Sequence, residues 1–209
     1  MNTHKPVAEK PPIAGVTKER VITLSDGVFA IAATLLVLEL KIPEEGSAVP
    51  LAQGLVHVAP SFLAYALSFF VIALFWTSYH RVMAMISEVD RAIVVLNVVL
   101  LFLISLQPFP TALLGRYGRD FLAVALYAGV MALTGAALLL IWLWATRHRT
   151  DLLRLDPREK SARALAFRLA VSPAVFALSI PLAWWYPSTA MASWVLVAVF
   201  TLASRLRYG

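Results

Sequence analysis

The chain has 209 residues, of which 60% are hydrophobic and only 14% charged, with a formal net charge of +6 and no cysteine. A soluble domain of this length needs far more surface charge, and the lack of cysteine excludes disulfides, thiolate chemistry and cysteine-based metal sites. The positive charge does not point to nucleic acid, because the basic residues cluster beside the ends of long apolar runs, as membrane orientation requires.

Residues 1–17 are polar and contain three prolines, which predicts a disordered tail, with a single transmembrane domain over residues 18–209. The first span is predicted from Glu19 to Ile42. The apolar stretch is long and no small-residue cleavage site follows it, so it is read as a retained helix. The second span is predicted from Val56 to Met83, the third from Ala92 to Leu114 and the fourth from Phe121 to Thr146. The fifth runs from Leu165 to Trp185, with Pro173 and Pro181 as sites of kinking, and the sixth from Ser188 to Ser204. A re-entrant pair in place of the last two is the alternative. The expectation is therefore an all-α integral membrane protein with six transmembrane helices. Lys and Arg divide fifteen to three between the two sets of loops when the termini lie inside, so both termini are expected in the cytoplasm of a multi-pass cell-membrane protein. The basic loop from Arg147 to Arg163 is read as a topology determinant that can also touch anionic lipid.

A charged residue within a span needs a reason. Asp26 lies about one and a half turns inside the first span, so a protein partner is expected from Arg20, His80, Arg81 or Asn97. A structural polar network is the favoured reading, and a proton relay is the alternative. At 100° per residue, Ile31, Leu35 and Leu38 fall within about 60° of one another, Thr34 lies beside them, and Asp26 points about 140° away from Ile31. An aliphatic row of this kind can face lipid, another helix or a pore. Trp76 and its aromatic neighbours at the end of the second span read as interfacial anchors. His80 has no second ligand at helical spacing, so no metal site is expected. In Gln107-Pro-Phe-Pro-Thr111 the prolines should break the third span. Gln107 and Thr111 then either satisfy the freed carbonyls, the preferred reading, or line a vestibule. Nucleotide-loop, hydrolase and metalloprotease motifs are missing, as is the carbonyl filter of common potassium channels, so an enzyme is not expected.

Arg20-x-x-x-Leu24-Ser25-Asp26 resembles the RxxxFSD signature of the transmembrane protein 175 family of potassium channels. The resemblance continues through Gly27 to Glu39, Trp76-x-x-x-His80-Arg81, Asn97 and Pro108 to Gly115, then fades. Leu24 stands where the signature has Phe. The resemblance implies a homotetramer of six-helix subunits whose first helices line a central pore. By position, Ile31 would form the narrowest ring, Leu35 and Leu38 would lie above it, and Thr34 would supply hydroxyls nearby. Arg20, Leu24, Ser25, Asp26, Trp76, His80 and Asn97 would form a structural motif network holding helices together. Glu39, at the outer mouth, would concentrate cations or pair with Lys41. The function implied is a potassium-preferring cation channel with an aliphatic constriction. It would need no cofactor, with potassium as the permeant ion, and its partners would be its own copies and membrane lipids, not nucleic acid. The alternative is a proton-coupled transporter or proton leak using Asp26 and His80.

Overall fold

The computed structural model describes residues 16–41, 50–148, 150–153 and 160–194. Those residues are almost wholly helical: α1 Lys18–Leu35, α2 Leu51–Met85, α3 Arg91–Leu106, α4 Pro108–Tyr117, α5 Phe121–His148 and α6 Lys160–Trp185. Five helical stretches, Lys18–Glu39, Leu51–Met85, Arg91–Tyr117, Phe121–His148 and Ser161–Trp185, are long and apolar enough to span a membrane. The first five predicted spans thus appear in order, with ends shifted by a few residues. The predicted sixth is helical over 187–194, while 195–209 lie outside the described residues, as do 1–15 of the predicted tail.

Local chemistry sets the helix ends. The Thr17 hydroxyl accepts from the Arg20 amide and Glu19 occupies the first turn, which together start α1. Asp90 caps α3 by accepting from the Ile93 amide, and its second oxygen accepts from Trp144 Nε1 on α5 at 3.1 Å. α1 tightens into a 3₁₀ turn at Leu36–Glu39. The expected break in the third span falls at Gln107, between α3 and α4. The expected kinks in the fifth do not interrupt α6, which runs unbroken through Pro173 and Pro181. Gln107 and Thr111 are buried, which removes the vestibule reading. The Thr111 hydroxyl lies 2.8 Å from the Gln107 carbonyl oxygen and 2.9 Å from Ser68 Oγ, whose own partner is the Tyr127 hydroxyl.

Contacts between the ends fix which turns share a face. Lys18 Nζ donates to the Ile86 carbonyl at 2.6 Å, and the Ser87 amide and hydroxyl both donate to the Leu152 carbonyl at 2.7 Å. The start of α1, the α2–α3 turn and the segment after α5 therefore lie at one end of the bundle, here the N-terminal face. Glu39, the start of α2 and the end of α4 lie at the other. α5 is the most buried of the spans and packs along α6. Tyr127 on α5 stacks on Trp194, whose indole donates to Ser179 on α6, so residues 187–194 are held against both helices.

A Cβ on Gly135 would lie 2.8 Å from Pro173 Cδ, whereas one on Gly129 of the same helix meets nothing within 4 Å. Alanine gains up to about 1 kcal/mol over glycine in a helix, and a forced contact costs about 1–3 kcal/mol. Gly129→Ala should therefore raise, and Gly135→Ala lower, the thermal unfolding temperature of the detergent-solubilised protein. Equal shifts would mean that α5 and α6 do not approach this closely.

The first helix: a locked face and a bare face

α1 has two faces of different chemistry. Val21, Ser25, Phe29, Ala32 and Leu36 are buried at spacings of three and four residues, which turns one side into the bundle. On the other side Leu24 is 58% exposed, Ile31 60%, Leu35 42% and Leu38 70%, with Gly27, Ala30 and Thr34 exposed between them. The row is apolar over its whole length except for Thr34. That hydroxyl donates to the Ile31 carbonyl at 2.9 Å. Its proton is thereby used within the helix, and its lone pairs remain the outward polar feature.

Two adjacent residues fasten the buried side. Ser25 is fully buried. Its hydroxyl lies 2.8 Å from the Tyr79 hydroxyl on α2 and 2.8 Å from the Val21 carbonyl, and it accepts from Asn97 Nδ2 on α3 at 3.1 Å. One serine therefore joins three helices. Asp26 accepts on a single oxygen, Oδ1, from Trp76 Nε1 at 2.9 Å and His80 Nε2 at 2.8 Å. The two donors stand one turn apart on α2, with ring centroids 4.6 Å apart in an edge-on arrangement.

Several expectations are changed by this geometry. Of the partners expected for Asp26, His80 reaches it, while Asn97 bonds Ser25. Asp26 is not a buried charge in the single chain, because its side chain is 43% exposed. Trp76 is a donor to the carboxylate as well as an aromatic residue near a helix end. Tyr79, read as an interfacial anchor, is fully buried against Ser25 and Phe29. Nothing in its position along the sequence set it apart from the interfacial aromatics beside it. Leu24 does not join the hydrogen-bonded cluster but lies on the bare face. Arg20 is exposed in the first turn of α1, near that face. Glu39 pairs with Arg116 at the end of α4, at 3.8 Å, and not with Lys41. Among the described residues no group of three or more His, Asp or Glu side chains is placed to hold a metal ion.

Fold and site together define a multi-pass helical membrane protein. Its first helix is fixed by hydrogen bonds on one side and bare and apolar on the other. The profile of the family described as "Endosomal/lysosomal potassium channel TMEM175" matches residues 20–108. A protein named a potassium channel from Streptomyces collinus is 37% identical over 87% of this chain and 89% of its own length. Another so named, from Chamaesiphon minutus, is 35% identical over 79% and 85%. The human relative, named an endosomal/lysosomal proton channel, is 31% identical, but the match spans 30% of its length. A crystal structure of a potassium-selective TMEM175 homolog from Chamaesiphon minutus superposes with a TM-score of 0.79 at 29% identity, over 90% of this chain and 97% of that one. The potassium channel MtTMEM175 shares the fold at a TM-score of 0.61. The chain belongs to the TMEM175 family of potassium channels, a family of ion channels and not of enzymes.

Proposed function

We propose that four copies of this chain assemble with their first helices around one axis and form a potassium-preferring channel. The observation that carries this reading is the bare row on the first span: the chain fastens one side of this helix to α2 and α3 and leaves an aliphatic row, with Thr34 its one polar side chain, on the other. Ile31 is the narrowest ring, with Leu35 and Leu38 beyond it. A ring of aliphatic side chains closes a pore by narrowing and by dewetting. Potassium, larger and less strongly hydrated than sodium, loses water at such a ring more readily, so a bottleneck without a carbonyl cage still favours it. Thr34, with its lone pairs outward, offers oxygen next to the ring. Ser25, Asp26, Trp76, His80 and Asn97 hold the helix in register.

In this reading the chain has six spans and lies in a cell membrane of bacterial type, and the distribution of Lys and Arg supports cytoplasmic termini. Reconstituted into planar bilayers under a potassium gradient, the purified protein should carry a cation current that reverses near the potassium potential. No current at any voltage or pH would refute the channel reading.

A proton path is the second reading, favoured by the 2.8 Å contact of His80 with Asp26. Against it, the next polar side chain along α1 on the way to the opposite face is Thr34, eight residues or about 12 Å away.

A further inference from the structure

At the face opposite the N-terminus a cleft of about 1090 Å³ opens between the first turns of α2, the end of α4 and residues 187–194. Its walls are mainly apolar, with Leu67, Leu114 and Met191 among them and the Ser61 and Ser188 hydroxyls beside them. Its rim carries His57, Arg116 and Arg119. Arg119 is exposed and makes no hydrogen bond or ion pair among the described residues. Arg116 is shared with Glu39 only at 3.8 Å, beyond hydrogen-bond length. Asp120, the acid among the lining residues, keeps its charge while accepting from the Leu122 amide at 2.7 Å, so the two arginines still leave the cleft net positive. Leu63 forms a lip of the cleft and is highly exposed on the membrane-spanning part of α2, so the cleft is open toward the apolar side of the protein as well as toward its end.

Two arginines at the mouth of a mainly apolar cleft, at the end of spanning helices, fit a ligand with an anionic head and a hydrocarbon tail. Ser61, Tyr117 and Ser188 add hydroxyls to the lining, but most of the surface the cleft presents is apolar, which suits a hydrocarbon chain better than a sugar or a peptide. We propose that this cleft binds an anionic glycerophospholipid, its phosphate held by Arg119 and Arg116 and one acyl chain lying over Leu67, Leu114 and Met191. Arg116 also borders a second cavity, of about 480 Å³, that contains Leu35 and Glu39 of the first span. A phosphate at Arg116 therefore competes with Glu39, and lipid in the cleft loosens the far end of the first helix. The binding stands apart from the channel reading; only its consequence for a pore rests on it.

The test is native mass spectrometry of the full-length protein in detergent, equilibrated with phosphatidylglycerol, phosphatidylcholine or soluble glycerol 3-phosphate. Phosphatidylglycerol should be retained in preference to phosphatidylcholine. Arg119→Gln should weaken its retention by about tenfold, the loss of one charge-assisted contact, while Arg119→Lys keeps most of it. Met191→Trp, which fills the interior, should reduce retention of both lipids. Glu39→Gln should increase phosphatidylglycerol retention by freeing Arg116, and an unchanged value would overturn the competition. Equal retention by the wild type and Arg119→Gln would overturn the site. Soluble glycerol phosphate binding as well as the lipid would overturn the assignment of an amphiphile. Arg119 is exposed and outside the core, so the unfolding temperature of its variants should match the wild type and show that lost binding is not lost folding.

Discussion

Replacing Ile31 with asparagine should raise cation flux through the assembled protein by about tenfold and bring the potassium-to-sodium ratio toward one. The factor corresponds to about 1.4 kcal/mol removed from the barrier. An aliphatic ring excludes water from a narrow bore, so a cation crossing it loses hydration without replacement. Asparagine supplies an amide oxygen and holds water at the same place. The ring thus becomes wet, and the difference in dehydration between the two ions loses its leverage. Single-channel recording and reversal potentials in mixed potassium and sodium check both outcomes. Were Ile31 to face lipid, the amide would be a polar group in hydrocarbon. The variant would then be less stable, and its flux per assembled protein would equal that of the wild type. That pair of results would remove the first helix from the pore wall.

That the aliphatic residues of the first span share one side was legible from helical period, whereas that the bundle leaves this side uncovered was not. Ile31, Leu35 and Leu38 fall on one side at 100° per residue, and the bundle leaves that side uncovered. The end of α3 was legible for a similar local reason, since Pro108 and Pro110 cannot continue the hydrogen-bond ladder. Partner choice was not local. Asp26 demanded a donor, and His80 was a sound candidate. Whether Asn97 reached the carboxylate or the neighbouring serine depends on the rotation of α3, which no spacing within one helix defines. Tyr79 was hidden for the opposite reason: a tyrosine near a helix end has an ordinary explanation at the membrane interface, and only packing reveals that it is fully buried. The pairing of Glu39 with Arg116 needed the direction in which α4 leaves the break at Gln107. The contact of Lys18 with the Ile86 carbonyl uses a backbone acceptor, which carries no mark in the sequence.

Two substitutions at Asp26 separate its structural use from a proton-handling one. Asp26→Ala removes the acceptor shared by Trp76 and His80 and should lower assembly of the protein. The loss is on the order of 2 kcal/mol, since hydrogen bonds to a charged group are worth more than neutral ones, but this carboxylate is partly exposed. Cross-linking or size-exclusion of the solubilised protein should show a smaller assembled fraction, with the remaining assemblies conducting potassium normally. Asp26→Asn keeps one oxygen in the same place for both donors and cannot take up and release a proton near neutral pH. If Asp26 serves to fasten α1 to α2, the asparagine variant assembles and conducts potassium close to the wild type, and only alanine fails. If Asp26 and His80 pass protons, asparagine abolishes proton flux in pyranine-loaded liposomes while assembly is preserved. The exposed side of Asp26 faces a groove of about 430 Å³ between α1 and α2, bordered by Ala30, Ala33, Phe69 and Ala73. Apart from the carboxylate and Trp76, that groove is lined by apolar residues. A proton leaving Asp26 along it meets hydrocarbon, and this favours the outcome in which alanine and asparagine differ in assembly and not in proton flux.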